Sequence, residues 1–326
     1  MSKQRVGFIG VGLMGHGMAK NIVEKGYPLS IMGHRNRKPV TDLVKRGAKE
    51  AKSPAEMAKN SDVIFICVTS SVQVEDLIRR KDGIKAGAQA RSGKGGLIIV
   101  DCSTADPKST IALAEELAPL GVRLVDAPLG RSPKEAEQGL LNTFVGADSK
   151  TLNEVYPLIA TWAENIIHVG PVGAGHKMKL VNNFVAMSYV AVYAEAFTAA
   201  QKTGVPLEKF REVISAGGLN SGMFQNVCRW VIDGDPKAHE FTIANCDKDV
   251  RYFNQLADAE KLTTVVASAV KQTYTMAMAM GRGERNMPML ADAVANFNGV
   301  ELQPEGAWQG KPVKKSKDKP KKKKKK

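Results

Sequence analysis

The sequence predicts a doubly wound α/β sheet, then an all-helical domain, then a disordered basic tail. Three observations carry this. The first half alternates short β-branched runs with helix-like stretches, a spacing that demands parallel pairing through crossover helices. Beyond residue 175 the strand-like runs stop, and long segments rich in Ala, Met and Leu replace them. Residues 311–326 hold 11 Lys and one Asp, a charge of +10. The formal +14 of the whole chain therefore leaves only +4 for the preceding 310 residues, so the basic character is a tail and not a face. The expected boundaries are 1–172 for the first domain, 173–302 for the helical one and 303–326 for the tail.

The expected strands are 6–9, 29–32, 63–68, 97–101, 123–127, 141–145 and 166–170. Early helices are expected at 15–25 and 54–59, the latter opened by a capping Ser53, Pro54 at the first helical position and Glu56 in the first turn. Later helices are expected at 180–202, 207–216, 247–260, 265–280 and 289–297, separated by glycine-rich breaks. Residues 180–200 are long and apolar enough to suggest a membrane span. Asn182, Asn183 and Glu195 interrupt that stretch, so a buried central helix that packs on the first domain or on a second subunit is the better reading. No secretory signal opens the chain, and a cytoplasmic protein is expected. The four cysteines show no CxxC spacing, which argues against a zinc site or a disulfide framework. No HxH or acidic cluster suggests another metal.

Gly10-Val11-Gly12-Leu13-Met14-Gly15 matches GxGxxG between a strand and a helix, the setting of a Rossmann-type dinucleotide site. Gly10 would make the tight turn, Gly12 would admit a pyrophosphate, and Gly15 would let helix and strand pack closely. An acid ending the second strand would favour NAD; here the chain reads Gly33-His34-Arg35-Asn36-Arg37-Lys38, which suits a 2′-phosphate. NADP is thus preferred, with a solvated basic turn beside an NAD site as the alternative. Lys179 and Asn183 are four apart, share a helix face and open the apolar helix. A lysine there can give a proton to a carbonyl oxygen, with Asn183 orienting it or the substrate hydroxyl. Lys177 reads as the surface lysine of that turn.

These blocks together resemble the β-hydroxyacid dehydrogenase family, which includes 3-hydroxyisobutyrate dehydrogenase and tartronate semialdehyde reductase. The likeness spans about residues 4–300. It rests on GFIGVGLMGHGMAKNIV (7–23), on the loop from Asp101 to Pro107, on the GxGxxxKxxNN block ending at Asn183, and on the segment from Phe241 to Asp249. The resemblance implies catalysis by Lys179 and substrate contacts from Ser103, Gly130, Arg131, Ser132 and Asn183. Cofactor contacts are expected from Gly10, Gly12, Leu13, Met14, Gly15, His34, Arg35, Asn36, Val68, Thr69, Thr104 and Lys248. After Asp126 the family's usual Val-Ser-Gly-Gly is replaced by Leu129-Gly130-Arg131-Ser132, a version similar to sulfolactaldehyde reductases. Arg131 would then meet an anionic group, unless it pairs with Glu135 or Glu137 instead. The implied activity interconverts a small β-hydroxyacid, or a sulfonate analogue, with its aldehyde in a homo-oligomer, dimer or tetramer. Two alternatives stay open: imine reduction on the same scaffold, and a non-catalytic NADP-binding module whose lysine tail makes salt-sensitive contacts with nucleic acid.

Overall fold

The computed structural model describes residues 3–91, 96–304 and 306–309. The lysine-rich residues 311–326, expected to be disordered, lie outside the described residues. Two compact units divide the chain: one runs to Val185 and includes Lys248–Ser268, and the other comprises Ala186–Asp247 with the residues from Ala269 onward. A strand ends at Gly170 and the long helix begins at Ala174, whereas the compact units divide later, after Val185.

In the first unit the described residues form one sheet of nine strands. They are β1 (Val6–Ile9), β2 (Leu29–Met32), β3 (Lys49–Glu50), β4 (Val63–Ile66), β5 (Ile98–Asp101), β6 (Arg123–Asp126), β7 (Leu129–Gly130), β8 (Leu141–Gly146) and β9 (Ala163–Gly170). The order is β3-β2-β1-β4-β5-β6-β8-β7, with β9 also on β8. The pairs from β3 through β6 are parallel. β8 runs antiparallel to β6 and β7. The departure has a local cause: β7 prolongs β6 in one register against β8, and residues 131–140 fold the chain straight back in place of a crossover to a parallel strand. Strand order reverses between β1 and β4, so the crevice beyond their carboxyl ends is the expected ligand position for this topology.

The central strands are buried on both faces, which explains their unbroken apolar runs. Phe8, Phe65 and Val100 face one helical layer with Met18, Ile22 and Leu43. Ile9, Ile64, Ile66 and Ile99 face the other with Met57, Ile78 and Leu113. Phe65 stacks on Phe8 and meets Trp162 edge-on. Ser53 caps helix Pro54–Asn60 by accepting the Glu56 amide, as its sequence signal predicts.

The long helix starts at Ala174, six residues before its apolar run, and continues to Thr203. It is buried along one side only. Leu180, Met187, Val190 and Phe197 are covered, while Val181, Val185 and Val192 are 45%, 45% and 61% exposed. Among the described residues no helix is long and apolar enough to cross a membrane.

The second unit is helical, built from the rest of that helix, Leu207–Ser215, Gly222–Val231, Val265–Ala279 from residue 269 onward and Leu290–Phe297. Phe197, Phe210 and Phe224 pack together at its centre. The start of the segment expected to be disordered is structured. Gln303 donates to the Trp230 and Val231 carbonyls, and Arg285 lies over the Trp308 ring. Asp292 is 3% exposed and accepts the Trp230 indole N–H at 2.7 Å, while its other oxygen has no partner. Burial pushes its carboxyl up to about 6. A raised acid favours folding below the unfolded value and loses that contribution as pH rises towards 6, leaving a cost of about 3 kcal/mol at neutral pH. Asp292→Asn keeps an oxygen for Trp230 and removes the charge. The variant should melt at or above wild type at pH 7.5 and lose the advantage at pH 4. Lower melting than wild type at pH 7.5 would show that the ionised group is well paired.

Candidate active site

The loop after β1 has the shape its glycines require. Gly10 has φ +95°, and a Cβ there would lie 2.1 Å from the Cys67 carbonyl oxygen. A Cβ on Gly15 would lie 2.0 Å from the Gly10 carbonyl oxygen, so helix Gly15–Glu24 can approach β1 only without one. At Gly12 a Cβ would meet nothing within 4 Å. The glycine there leaves open space in front of a helix N-terminus, which is what a pyrophosphate needs. The residues therefore fit a dinucleotide. Leu13 is 74% exposed at the tip, and Met14 packs partly against the core. Thr69 is fixed by Gln73, which accepts from both its amide and its hydroxyl at 2.9 Å. Val68 donates its amide to the Ser103 hydroxyl at 3.0 Å.

Beyond β2, His34, Arg35 and Asn36 are exposed. Asn36 accepts the Lys38 amide. Arg37 makes a two-pronged pair with Glu50, which holds that carboxyl below its ordinary value. The nearby acid on β3 is thus neutralised, and Arg35 remains on the rim.

The lysine end of the site is built on a buried carboxylate. Asp126, at the end of β6, accepts the Gly173 and His176 amides, both at 2.7 Å. It thereby caps the start of the long helix, where free N–H groups favour an anion. Burial nevertheless pushes its carboxyl upward. A Cβ at Gly146 or Gly175 would fall within 2.8 Å of that carboxylate, so both positions need glycine. The next turn presents Lys179, whose Nζ donates to the Leu129 carbonyl at 2.6 Å. Burial lowers the Lys179 pKa, Asp249 opposes this and Lys248 adds to it. Lys177 is exposed, as expected of a surface lysine.

Asp249 ties the constellation together. It is 1% exposed and accepts Asn183 Nδ2 on one oxygen at 2.7 Å and Lys248 Nζ on the other at 2.6 Å. Lys248 also donates to the Thr104 carbonyl at 3.2 Å and lies over the Tyr252 ring. The structure thus brings together Lys179, Asn183, Thr104 and Lys248, all within the first unit. Asp249 was not among the residues expected to act. Its only sequence signal is adjacency to Lys248, and its importance comes from burial against the Lys248 ammonium and the Asn183 amide.

The predicted substrate loop is arranged differently. Ser103 is 2% exposed, and its hydroxyl is used by Val68. Gly130 belongs to β7, paired with Asn142. Arg131 has φ +74°, a strained conformation for a residue with a Cβ. Its guanidinium donates to Glu164 and to the Leu140 carbonyl. The expected partners are otherwise engaged: Glu135 forms a capping box with Ser132, and Glu137 holds His16 and Lys20. Among the described residues, no group of three or more His, Cys, Asp or Glu side chains could hold a metal ion.

Residues 5–170 match the model of the NAD binding domain of 6-phosphogluconate dehydrogenase. Residues 173–293 match the model described as NAD-binding of NADP-dependent 3-hydroxyisobutyrate dehydrogenase. The chain is 28% identical over 302 residues to a 2-(hydroxymethyl)glutarate dehydrogenase of Eubacterium barkeri, covering 91% of this chain and 97% of that one. It is 27% identical over 284 residues to the cytokine-like nuclear factor N-PAC of Xenopus tropicalis, covering 87% of this chain but only 52% of that protein. The chain thus spans about half the length of the nuclear factors it matches. The solved 3-hydroxyisobutyrate dehydrogenase of Salmonella typhimurium superposes with a TM-score of 0.77 at 25% identity, covering 90% of this chain and 100% of that one. With one family model spanning half of the chain, the other spanning its helical continuation, and the glycine loop fitted to a dinucleotide, the chain belongs to the β-hydroxyacid dehydrogenase family and carries its nicotinamide-dinucleotide-binding domain.

Proposed function

We propose that the protein is an NADP-preferring oxidoreductase that interconverts a small anionic β-hydroxyacid and its semialdehyde. The observation that carries this is Lys179: half-buried, lowered in pKa by desolvation, and one helical turn from the Asn183–Asp249–Lys248 network. When bound, the nicotinamide supplies or accepts hydride at the substrate carbon. Lys179 Nζ gives its proton to the carbonyl oxygen during reduction and takes it from the hydroxyl during oxidation. Desolvation makes its ammonium a readier donor than a surface lysine. Asn183, held by Asp249, retains a second amide hydrogen with which to orient the substrate oxygen.

The substrate class is supported by what related proteins are named for. Both 2-(hydroxymethyl)glutarate and 3-hydroxyisobutyrate carry the hydroxyl β to a carboxylate. A sulfonate analogue would draw on Arg131, but Glu164 already neutralises that guanidinium. A carboxylate substrate is therefore the reading we favour. A binding-only module is the second reading, and it would have no use for a desolvated lysine at this position.

The test is a panel of small semialdehydes, with matched hydroxycarboxylates and hydroxysulfonates, assayed with NADPH and NADH. NADPH should be preferred. Arg35→Ala should lower kcat/KM for NADPH roughly ten- to a hundredfold, the weight of a charge-assisted bond, and barely alter NADH. Equal loss with both cofactors would remove the 2′-phosphate role from Arg35.

A further inference from the structure

We infer that His176 is a positioning residue that holds the loop after β5 at a fixed distance from the lysine-bearing helix. The inference rests on the oxidoreductase reading above.

His176 is completely buried and so cannot meet the substrate. A buried imidazole is costly unless both nitrogens find partners. Here both do, and both partners belong to the segment after β5. Nε2 lies 3.1 Å from the Ser103 carbonyl oxygen, and Nδ1 lies 2.7 Å from the Thr110 hydroxyl. A carbonyl can only accept, so Nε2 carries the hydrogen. In the neutral ring Nδ1 then accepts the single Thr110 hydroxyl hydrogen, for which the more distant Asp106 carbonyl at 3.2 Å competes.

Three features make this contact more than a core hydrogen bond. His176 precedes Lys179 by three residues, so both project from one face of the same helix. Its own amide is fixed on Asp126, which leaves that turn little freedom to shift. Its target is one of two consecutive carbonyls held by side chains: His176 takes Ser103, and Lys248 takes Thr104. Ser103 in turn accepts the Val68 amide, so the same strut extends to the loop after β4. The proton donor and two loops bordering the cofactor crevice are thus joined through one ring. Proton and hydride delivery need reacting atoms within a few tenths of an ångström of the productive geometry, and a misplacement of about 1 Å costs roughly a hundredfold.

The experiment compares wild type, His176→Gln, His176→Ala and Thr110→Val as full-length protein with NADPH bound. It reads kcat and KM with the substrate found in the panel, the deuterium isotope effect on kcat, and amide exchange across residues 98–110. His176→Ala should lower kcat roughly ten- to a hundredfold at nearly constant substrate KM, raise the isotope effect, and speed exchange at 102–106. His176→Gln, with a donor and an acceptor on a side chain of similar reach, should recover most of the loss. Thr110→Val should fall between. A folded His176→Ala protein with unchanged kcat and unchanged loop exchange would overturn the inference, as would Gln and Ala variants that behave alike. If His176→Ala does not fold, the Gln and Thr110→Val variants decide by the same readings. If wild type turns over nothing in the panel, the oxidoreductase reading fails, and loop exchange alone still decides whether His176 holds the segment.

Discussion

Replacing Lys179 with alanine should lower kcat by about 10²–10⁴, the range for loss of a general acid–base group. NADPH affinity should change little, because the glycine loop that fits the pyrophosphate lies after β1 and not on the long helix. The pH profile is the more diagnostic reading. Burial lowers the Lys179 pKa from the ordinary 10.5. Oxidation needs the neutral amine, so kcat for oxidation should rise with pH and level off below the ordinary lysine value. Reduction needs the ammonium, so its rate should fall through the same pKa. Both limbs should vanish in Lys179→Ala. A variant that keeps the limbs would assign them to another group.

Asp249→Asn should have the second largest effect, lowering kcat by roughly 10–10³ on the loss of positioning and charge together. The carboxylate has three tasks at once: it accepts from Asn183, it pairs with Lys248, and its charge opposes the desolvation of Lys179. Removing one partner of a buried pair leaves an uncompensated cation, a destabilisation of about 3–5 kcal/mol. The sign of the pH effect follows from the charges. Without Asp249 the Lys179 pKa falls further, so the oxidation limb should move to lower pH. An unmoved limb with reduced kcat would restrict Asp249 to a packing role.

Much of the first unit was legible because its signals are local. The apolar runs of β1, β4 and β5 are short, bounded and buried on both faces, and β2 alternates buried and half-buried residues, so period and length sufficed. The three glycines were legible because each answers a different steric demand of one turn. Lys179 and Asn183 were legible because a lysine and an asparagine opening an apolar helix require a reason. What sequence could not supply was pairing across the sheet. Arg131 was weighed against Glu135 and Glu137, its neighbours along the chain. The structure instead delivers Glu164, because parallel pairing of β8 and β9 returns a residue 33 positions away to the loop after β7. Asp126 as the cap of the long helix, and Asp249 as the joint between Asn183 and Lys248, are hidden for the same reason. Their partners lie 47–50 and 66 residues away for Asp126 and for the Asn183 contact, and only the fold brings them into reach.

The two sides of the long helix are not told apart in sequence. Its composition reads as buried throughout, because valine and tyrosine on an uncovered face look the same in sequence as those in a core.

Hydride transfer with Lys179 as the proton donor is what separates the proposed oxidoreductase from a chain that merely binds a dinucleotide. The most direct measurement is incubation of wild type and Lys179→Ala with C4-deuterated NADPH and the semialdehyde panel, followed by mass spectrometry of the alcohols formed. Wild type should yield a β-hydroxyacid one mass unit heavier, and the variant should yield at most about one hundredth as much in the same time. Label transfer that proceeds equally in both proteins would take the proton from Lys179, and a wild type that binds NADPH yet labels no product from any aldehyde would contradict the account.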